Sequence, residues 1–150
     1  MTLTSGKNRT YKVVDMHTAG EPVRIFVADD LPLPDQSVLE KRRYMREQLD
    51  HIRTLLMLEP RGHADMYGAI VTKPTDEHTD IDVLFTHNSG YSTMCGHATI
   101  ALGRWLADQS AQQTIQESKR RFVVGCPCGP VEVSVEQGSD NIVRSSFSSV

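Results

Sequence analysis

Between Met94 and Gly103 the chain runs Met-Cys-Gly-His-Ala-Thr-Ile-Ala-Leu-Gly without a lysine, arginine or carboxylate. Ala98, Ala101, Leu102 and Trp105 recur at i, i+3, i+4 and i+7, while Ile100 and Leu106 add apolar surface on other sides. A helix that is apolar nearly all round must be buried nearly all round. Such a helix cannot lie on one face of a small sheet with its back to water, so the rest of the chain has to enclose it. Gly96, Ala98, Ala101 and Gly103 are small enough to let strands approach its axis closely.

The same segment carries the most chemistry. Asn88-Ser89-Gly90 reads as a turn after a strand, and Ser92 and Thr93 are both good helix N-caps. Cys95 then falls in the first helical turn, where free N–H groups point outward and the helix dipole is positive. Both favour thiolate over thiol; cysteine pKa values at helix N-termini fall from about 8.5 to roughly 3.5–7.5. Cys95 is therefore a candidate base as well as a candidate nucleophile. The N–H groups of Gly96 and His97 form a candidate anion site beside it. A base next to a carboxylate site suits removal of a proton α to that carboxylate. The alternative is a buried cysteine packing as a small hydrophobe.

The remaining chain supplies the enclosure. With 39% hydrophobic and 23% charged residues, it has apolar material for a core of its own. Tyr11–Val14, Val23–Ala28, Tyr67–Thr72, Ile81–Thr86, Phe122–Val124 and Val131–Val135 are expected strands, the last alternating with period 2. His17 to Pro22 is expected to interrupt the first two as a turn. Pro32 and Pro34 make a loop. Ser37 to Met57 is expected as one helix, with Ser37 and Glu40 at capping-box spacing. Met45, Leu49, Ile52 and Leu56 share a face; Lys41, Arg42, Arg46 and Glu47 are expected on a solvated one. The first ten residues and the serine-rich end Ser145–Val150 are expected to be loose. The sum is an α+β unit.

A formal net charge of −3 excludes a chain held to nucleic acid by bulk charge. No apolar run is long enough to span a membrane, and the start shows no apolar leader core, so a cytoplasmic location is expected. Three cysteines, Cys95, Cys126 and Cys128, do not make a disulfide framework. Cys126 and Cys128, with Cys95 and His97, raise a zinc reading, but both pairs are separated by one residue where zinc sites prefer two or more. A turn shaped by Pro127, Gly129 and Pro130 is the simpler account, so no metal site is expected. His17 and Glu21 are candidates for a cleft or for a turn. For Arg61, His63 and Asp65 a structural role is ranked first. His87 and Asn88 either orient the Cys95 loop or close a local turn. His51 and His78 are expected in solvent. Tyr91 is a candidate ring contact, and Trp105 is expected in the core.

Three motifs together resemble the proline racemase family: Met16-His17-Thr18-Ala19-Gly20-Glu21-Pro22, then Glu59-Pro60-Arg61-Gly62-His63 with Met66-Tyr67-Gly68-Ala69, then Met94-Cys95-Gly96-His97. Cys126-Pro127-Cys128-Gly129 is similar to the family as well. The run Gly90 to Ala98 looks most like the trans-3-hydroxy-L-proline dehydratase branch; racemases and 4-hydroxyproline epimerases more often carry glycine where Ala98 stands. The resemblance implies a diaminopimelate-epimerase-like fold, in which each α/β half wraps a mixed sheet around a central buried helix. Residues 1–150 would be the N-terminal half, with the second half absent. The chain is then expected to be incomplete, with little or no turnover by itself. The resemblance implies Cys95 as the catalytic proton acceptor, Gly96 and His97 as substrate-binding residues, and no cofactor or metal. The reaction implied is dehydration of trans-3-hydroxy-L-proline to a pyrroline-2-carboxylate. Proline or 4-hydroxyproline racemisation or epimerisation, or a noncatalytic remnant that binds a ligand, are the alternatives. The implied partner is a small imino acid, with no nucleic acid and no membrane; a homodimer is compatible with the full-length form.

Overall fold

The computed structural model describes residues 9–110 and 119–148. Residues 1–8 and the last two, part of the ends expected to be loose, lie outside the described residues. The elements in chain order are β1 (Val13–Thr18), β2 (Glu21–Val27), α1 (Val38–Gln48), α2 (Asp50–Met57), β3 (Tyr67–Thr72), β4 (Ile81–His87), β5 (Gly90–Ser92), α3 (Gly96–Gln109), β6 (Lys119–Cys126), β7 (Gly129–Gln137) and β8 (Val143–Phe147).

One mixed sheet runs in the order β1-β2-β3-β4-β6-β7-β8, with β5 paired to β4. Two of its neighbour pairs, β2/β3 and β4/β6, are parallel. Parallel neighbours require a crossover, and helices supply it in both cases. The pair α1–α2 joins β2 to β3, and α3 lies between β4/β5 and β6.

The central strands are buried on both faces, which is why they read as continuous apolar runs. Ile25, Ala69, Val71, Val83 and Phe85 face α3, while Phe26, Ile70 and Leu84 face α1 and α2. Strand β7 has one buried face: Val131, Val133 and Val135 point inward, and Glu132 and Glu136 point out. Beyond the central strands the sheet curls so that α3 touches β1, β2, β3, β6, β7 and β8. Enclosure of the uncharged part of α3, up to Gly103, is thereby met, while Arg104 and Asp108 beyond it are exposed and pair with each other. A Cβ on Gly103 would lie 2.5 Å from both Ser145 Oγ and Val133 Cγ1, so this glycine sets how closely β7 and β8 approach.

Four expectations are corrected. His17 to Pro22 is not a break: only Ala19 (φ 51°) and Gly20 (φ 96°) form the turn, and Thr18 already pairs with Glu21. Two residues with positive φ make the tight turn whose twist matches a hairpin. The Ser37–Met57 helix is two helices, parted where Leu49 leaves helical geometry (φ −125°). Ser37 does cap α1, accepting from the Glu40 N–H. Lys41 is not on a solvated face. It is 4% exposed, and its ammonium donates to Asp82, Thr72 Oγ1 and the Lys73 carbonyl. Finally, Ser145–Phe147 is strand, not loose tail, because β8 pairs with β7 from Val133↔Phe147 to Gln137↔Val143.

Candidate active site

The first turn of α3 meets the β1–β2 hairpin. Cys95 is the N-cap itself (φ −144°, ψ 107°), and its carbonyl accepts the first intrahelical bond from the Thr99 N–H. Ser92 and Thr93, the expected caps, precede the helix, since β5 holds Ser92 against Phe85. The amides of Gly96 and His97 come before the first intrahelical bond, so they belong to the unpaired N–H set of a helix start. Phe147 of β8 packs its ring 3.3 Å from where a Cβ on Gly96 would stand.

Two hydrogen bonds hold the hairpin to this turn. Thr18 Oγ1 donates to the His97 carbonyl at 2.8 Å. His97 Nε2 lies 3.3 Å from the Pro22 carbonyl oxygen. The His97 ring also meets Tyr67 edge-on, with centroids 4.7 Å apart. Its other nitrogen, Nδ1, is 3.4 Å from Cys95 Sγ. Cys95 retains 9% of its surface and sits at the margin of the α3 core cluster.

The electrostatics of the thiol differ from the expectation drawn from helix position alone. Burial pushes the Cys95 thiol up, the Ala98 amide pulls it down, and the nearby Glu21 carboxylate raises it further. Desolvation disfavours the charged form and here outweighs the helix start.

Other sequence candidates take structural roles. His17 Nδ1 accepts from the Gly20 N–H, closing its own hairpin. Asn88 clamps the loop before β3: it accepts from the Met66 N–H and donates to the carbonyls of Met57 and His63. The Arg61 carbonyl accepts from Arg24, whose guanidinium also holds Asp15 through two nitrogens. Asp65 stands at a positive-φ position (59°). His87 Nδ1 bonds Ser89 locally. Tyr91 packs on the α1–α2 cluster under Arg53, so it does not reach the thiol's side of the sheet. His51 and His78 are exposed, and Trp105 is partly buried against the α3 core.

Cys126 is buried with Sγ 3.6 Å from the Val124 carbonyl, and Cys128 is exposed in the β6–β7 turn. Among the described residues no three His, Cys, Asp or Glu side chains come together as a metal site. No described helix is long and apolar enough to cross a membrane. A cavity of about 1040 Å³ lies around Trp105 and Gln109, toward the other end of α3 from Cys95. Thr18, Pro22 and Tyr67 were not singled out from sequence. Thr18 and Pro22 lay inside a quoted motif, but only the hairpin register shows that they grip His97.

Against this geometry, the sequence profile of the proline racemase family matches residues 13–150. The chain belongs to the proline racemase family. A trans-L-3-hydroxyproline dehydratase of Xenopus tropicalis is 49% identical over 135 residues, covering 88% of this chain and 38% of the relative. The trans-3-hydroxy-L-proline dehydratase of Homo sapiens is 49% identical over 125 residues, covering 82% of this chain and 35% of its own length. The chain thus spans less than two fifths of the length of these two curated relatives. Among solved structures, a hydroxyproline epimerase from Agrobacterium vitis with bound trans-4-hydroxy-L-proline superposes with a TM-score of 0.76. It shares 18% identity, covering 89% of this chain and 40% of that one. A probable proline racemase from Agrobacterium radiobacter gives 0.77 at 18% identity, with 91% and 41% covered. These two support the fold: α+β, with a mixed sheet around a buried helix.

Proposed function

We propose that this chain provides the proton-abstracting half of a trans-3-hydroxy-L-proline dehydratase. The observation that carries the reading is Cys95 as N-cap of the enclosed helix, which puts its thiol at the helix start where the Gly96 and His97 amides have no intrahelical partner. The dehydratase relatives at 49% identity support the choice of substrate.

The chemistry follows from position. The substrate carboxylate accepts hydrogen bonds from the Gly96 and His97 N–H groups, where the helix start favours an anion. That bond withdraws charge from Cα and sets its hydrogen toward Cys95. The thiolate takes the Cα proton, forming S–H, and the electron pair left on Cα forms a double bond to C3 as the C3–O bond breaks. Hydroxide leaves with a proton as water, and an unsaturated pyrroline-2-carboxylate remains. Residues 13–150 act in this reading as the first of two α/β halves, and the acid that assists hydroxide loss belongs to the other.

The two steps separate experimentally. Hydrogen exchange at Cα of trans-3-hydroxy-L-proline in D2O, followed by NMR with the 150-residue chain, reports proton abstraction without requiring hydroxide loss. Exchange by the native chain is expected above the solvent background but well short of an enzyme-like rate, and is expected to fall to that background in Cys95→Ser, which lacks the positioned base. Exchange unchanged by Cys95→Ser would exclude Cys95 as the base.

A further inference from the structure

We infer that His97 is the proton partner of Cys95: its Nδ1 accepts the thiol proton, so that the base is prepared as a thiolate–imidazolium pair. The inference deepens the role of Cys95 given above and rests on that reading only for what the thiolate then does.

The hydrogen-bond roles are dictated by the groups present. The Pro22 carbonyl can only accept, so His97 Nε2, 3.3 Å away, carries a hydrogen. A neutral imidazole has one N–H, so Nδ1 is left with a bare lone pair. That lone pair is the ring atom nearest Cys95 Sγ, at 3.4 Å against 3.9 Å for Nε2. The hydrogen between them therefore belongs to sulfur in the neutral state. Transfer breaks S–H and forms Nδ1–H, giving S⁻ and a doubly protonated imidazolium. No charge is created overall.

This resolves the opposition between burial and the task of a base. A lone thiolate at a buried N-cap is disfavoured by desolvation. A thiolate with the imidazolium in contact keeps the pair neutral, and a neighbouring His⁺ favours the thiolate over the thiol. The ring is held for this purpose from three sides: Pro22 fixes Nε2, Tyr67 lies edge-on against the ring, and Thr18 ties the His97 carbonyl to β1. His97 acts through Cys95 and is thus a positioning and proton-holding residue.

The charged and titratable groups around the pair are few. From β2, Glu21 acts on Cys95 through space. From β3 comes the Tyr67 ring, and from β1 comes His17, occupied with Gly20. From β6 comes the buried Cys126. From β7, Glu132 faces Arg121, and from β8, Arg144 is bound to Asp140. Beside a neutral His97 ring, burial and Glu21 hold the thiol up.

The test is the pH profile of Cys95 alkylation by iodoacetamide in the full 150-residue chain, read peptide by peptide so that exposed Cys128 does not interfere. The native chain is expected to alkylate Cys95 at pH 7. His97→Gln is expected to be at least ~10-fold slower at pH 7 and to recover above pH 9, since a histidine-free buried thiol ionises late. Superimposable profiles would overturn the pairing. If His97→Gln does not fold, ¹⁵N NMR of the native ring decides. A ring protonated on both nitrogens at pH 7 supports the pairing, and a neutral ring, with either nitrogen bare, overturns it. Failure is distinguishable from that of the proposed function: a shifted alkylation profile without Cα exchange removes the substrate and leaves the pair, and exchange with unshifted alkylation does the reverse.

Discussion

Lys41 shows how far one residue's environment can depart from its neighbours in sequence. It sits in a run of charges, Glu40 to Arg43, yet its ammonium is 2.9 Å from Asp82 Oδ2, with side chains 5% and 1% exposed. Asp82 is itself satisfied by the Thr75 N–H and hydroxyl. Breaking a buried ion pair leaves an uncompensated charge and costs about 3–5 kcal/mol. Lys41→Met is therefore expected to lower unfolding free energy by that order in urea titration. The double variant Lys41→Met/Asp82→Asn is expected to recover part of it; no recovery would mean that Lys41 contributes through packing alone. The pair ties α1 to β4 from the face opposite α3, so these variants are expected to leave Cys95 alkylation in place.

At the scale of elements, the decisive fit is α3 against β7 and β8. Gly103 has no room for a methyl group: both contacts at 2.5 Å are well inside van der Waals distance, and one is a branched valine side chain. In an exposed helix, Gly→Ala gains about 1 kcal/mol. Here overpacking costs about 1–3 kcal/mol and wins in sign. Gly103→Ala is expected to lower the thermal midpoint, and a rise would show that β8 moves away freely. Strand β8 matters beyond stability, because Phe147 at its end packs on Gly96 at the start of α3. The hairpin β1–β2 grips the same turn from the other side through Thr18 and Pro22. The site is thus made where two hairpins close on one helix end.

For the whole molecule, the shifted groups set a pH window of stability. Asp15 and Asp50 are held below the usual carboxylate value of 3.8, chiefly by hydrogen bonds from Arg24 and Arg53. A depressed folded pKa contributes stability above the unfolded value, lost as pH falls through the folded one. At the alkaline end the sign reverses. Burial pushes the Cys126 thiol up from 9.0 to about 12, and Tyr91 is raised for the same leading reason. These groups ionise in the unfolded chain first, so stability is full below pH 9 and falls as pH rises beyond it. The urea midpoint is expected to decline from pH 9 upward, and less steeply in Cys126→Ala. An equal slope in that variant would remove Cys126 from the account.

What the amino-acid order determined by itself was local and periodic. Ten uncharged residues demanded an enclosed helix, Tyr67–Thr72 appeared as a strand with its observed bounds, and the valines of β7 declared one buried face. Cys95, Gly96 and His97 stood out because their order places a thiol at a helix start. Tertiary structure decided whatever depended on residues far apart in the chain. Lys41 looked solvated because Asp82, its partner, is 41 residues away. The serine-rich end looked loose because its strand exists only by pairing with β7. The thiol's balance turned on burial by the sheet, which a helix-end argument omits. The orientation of the His97 ring turned on Pro22, 75 residues earlier. Periodicity reports which face of an element is apolar, whereas desolvation and hydrogen-bond partnership are properties of the neighbours that packing brings together.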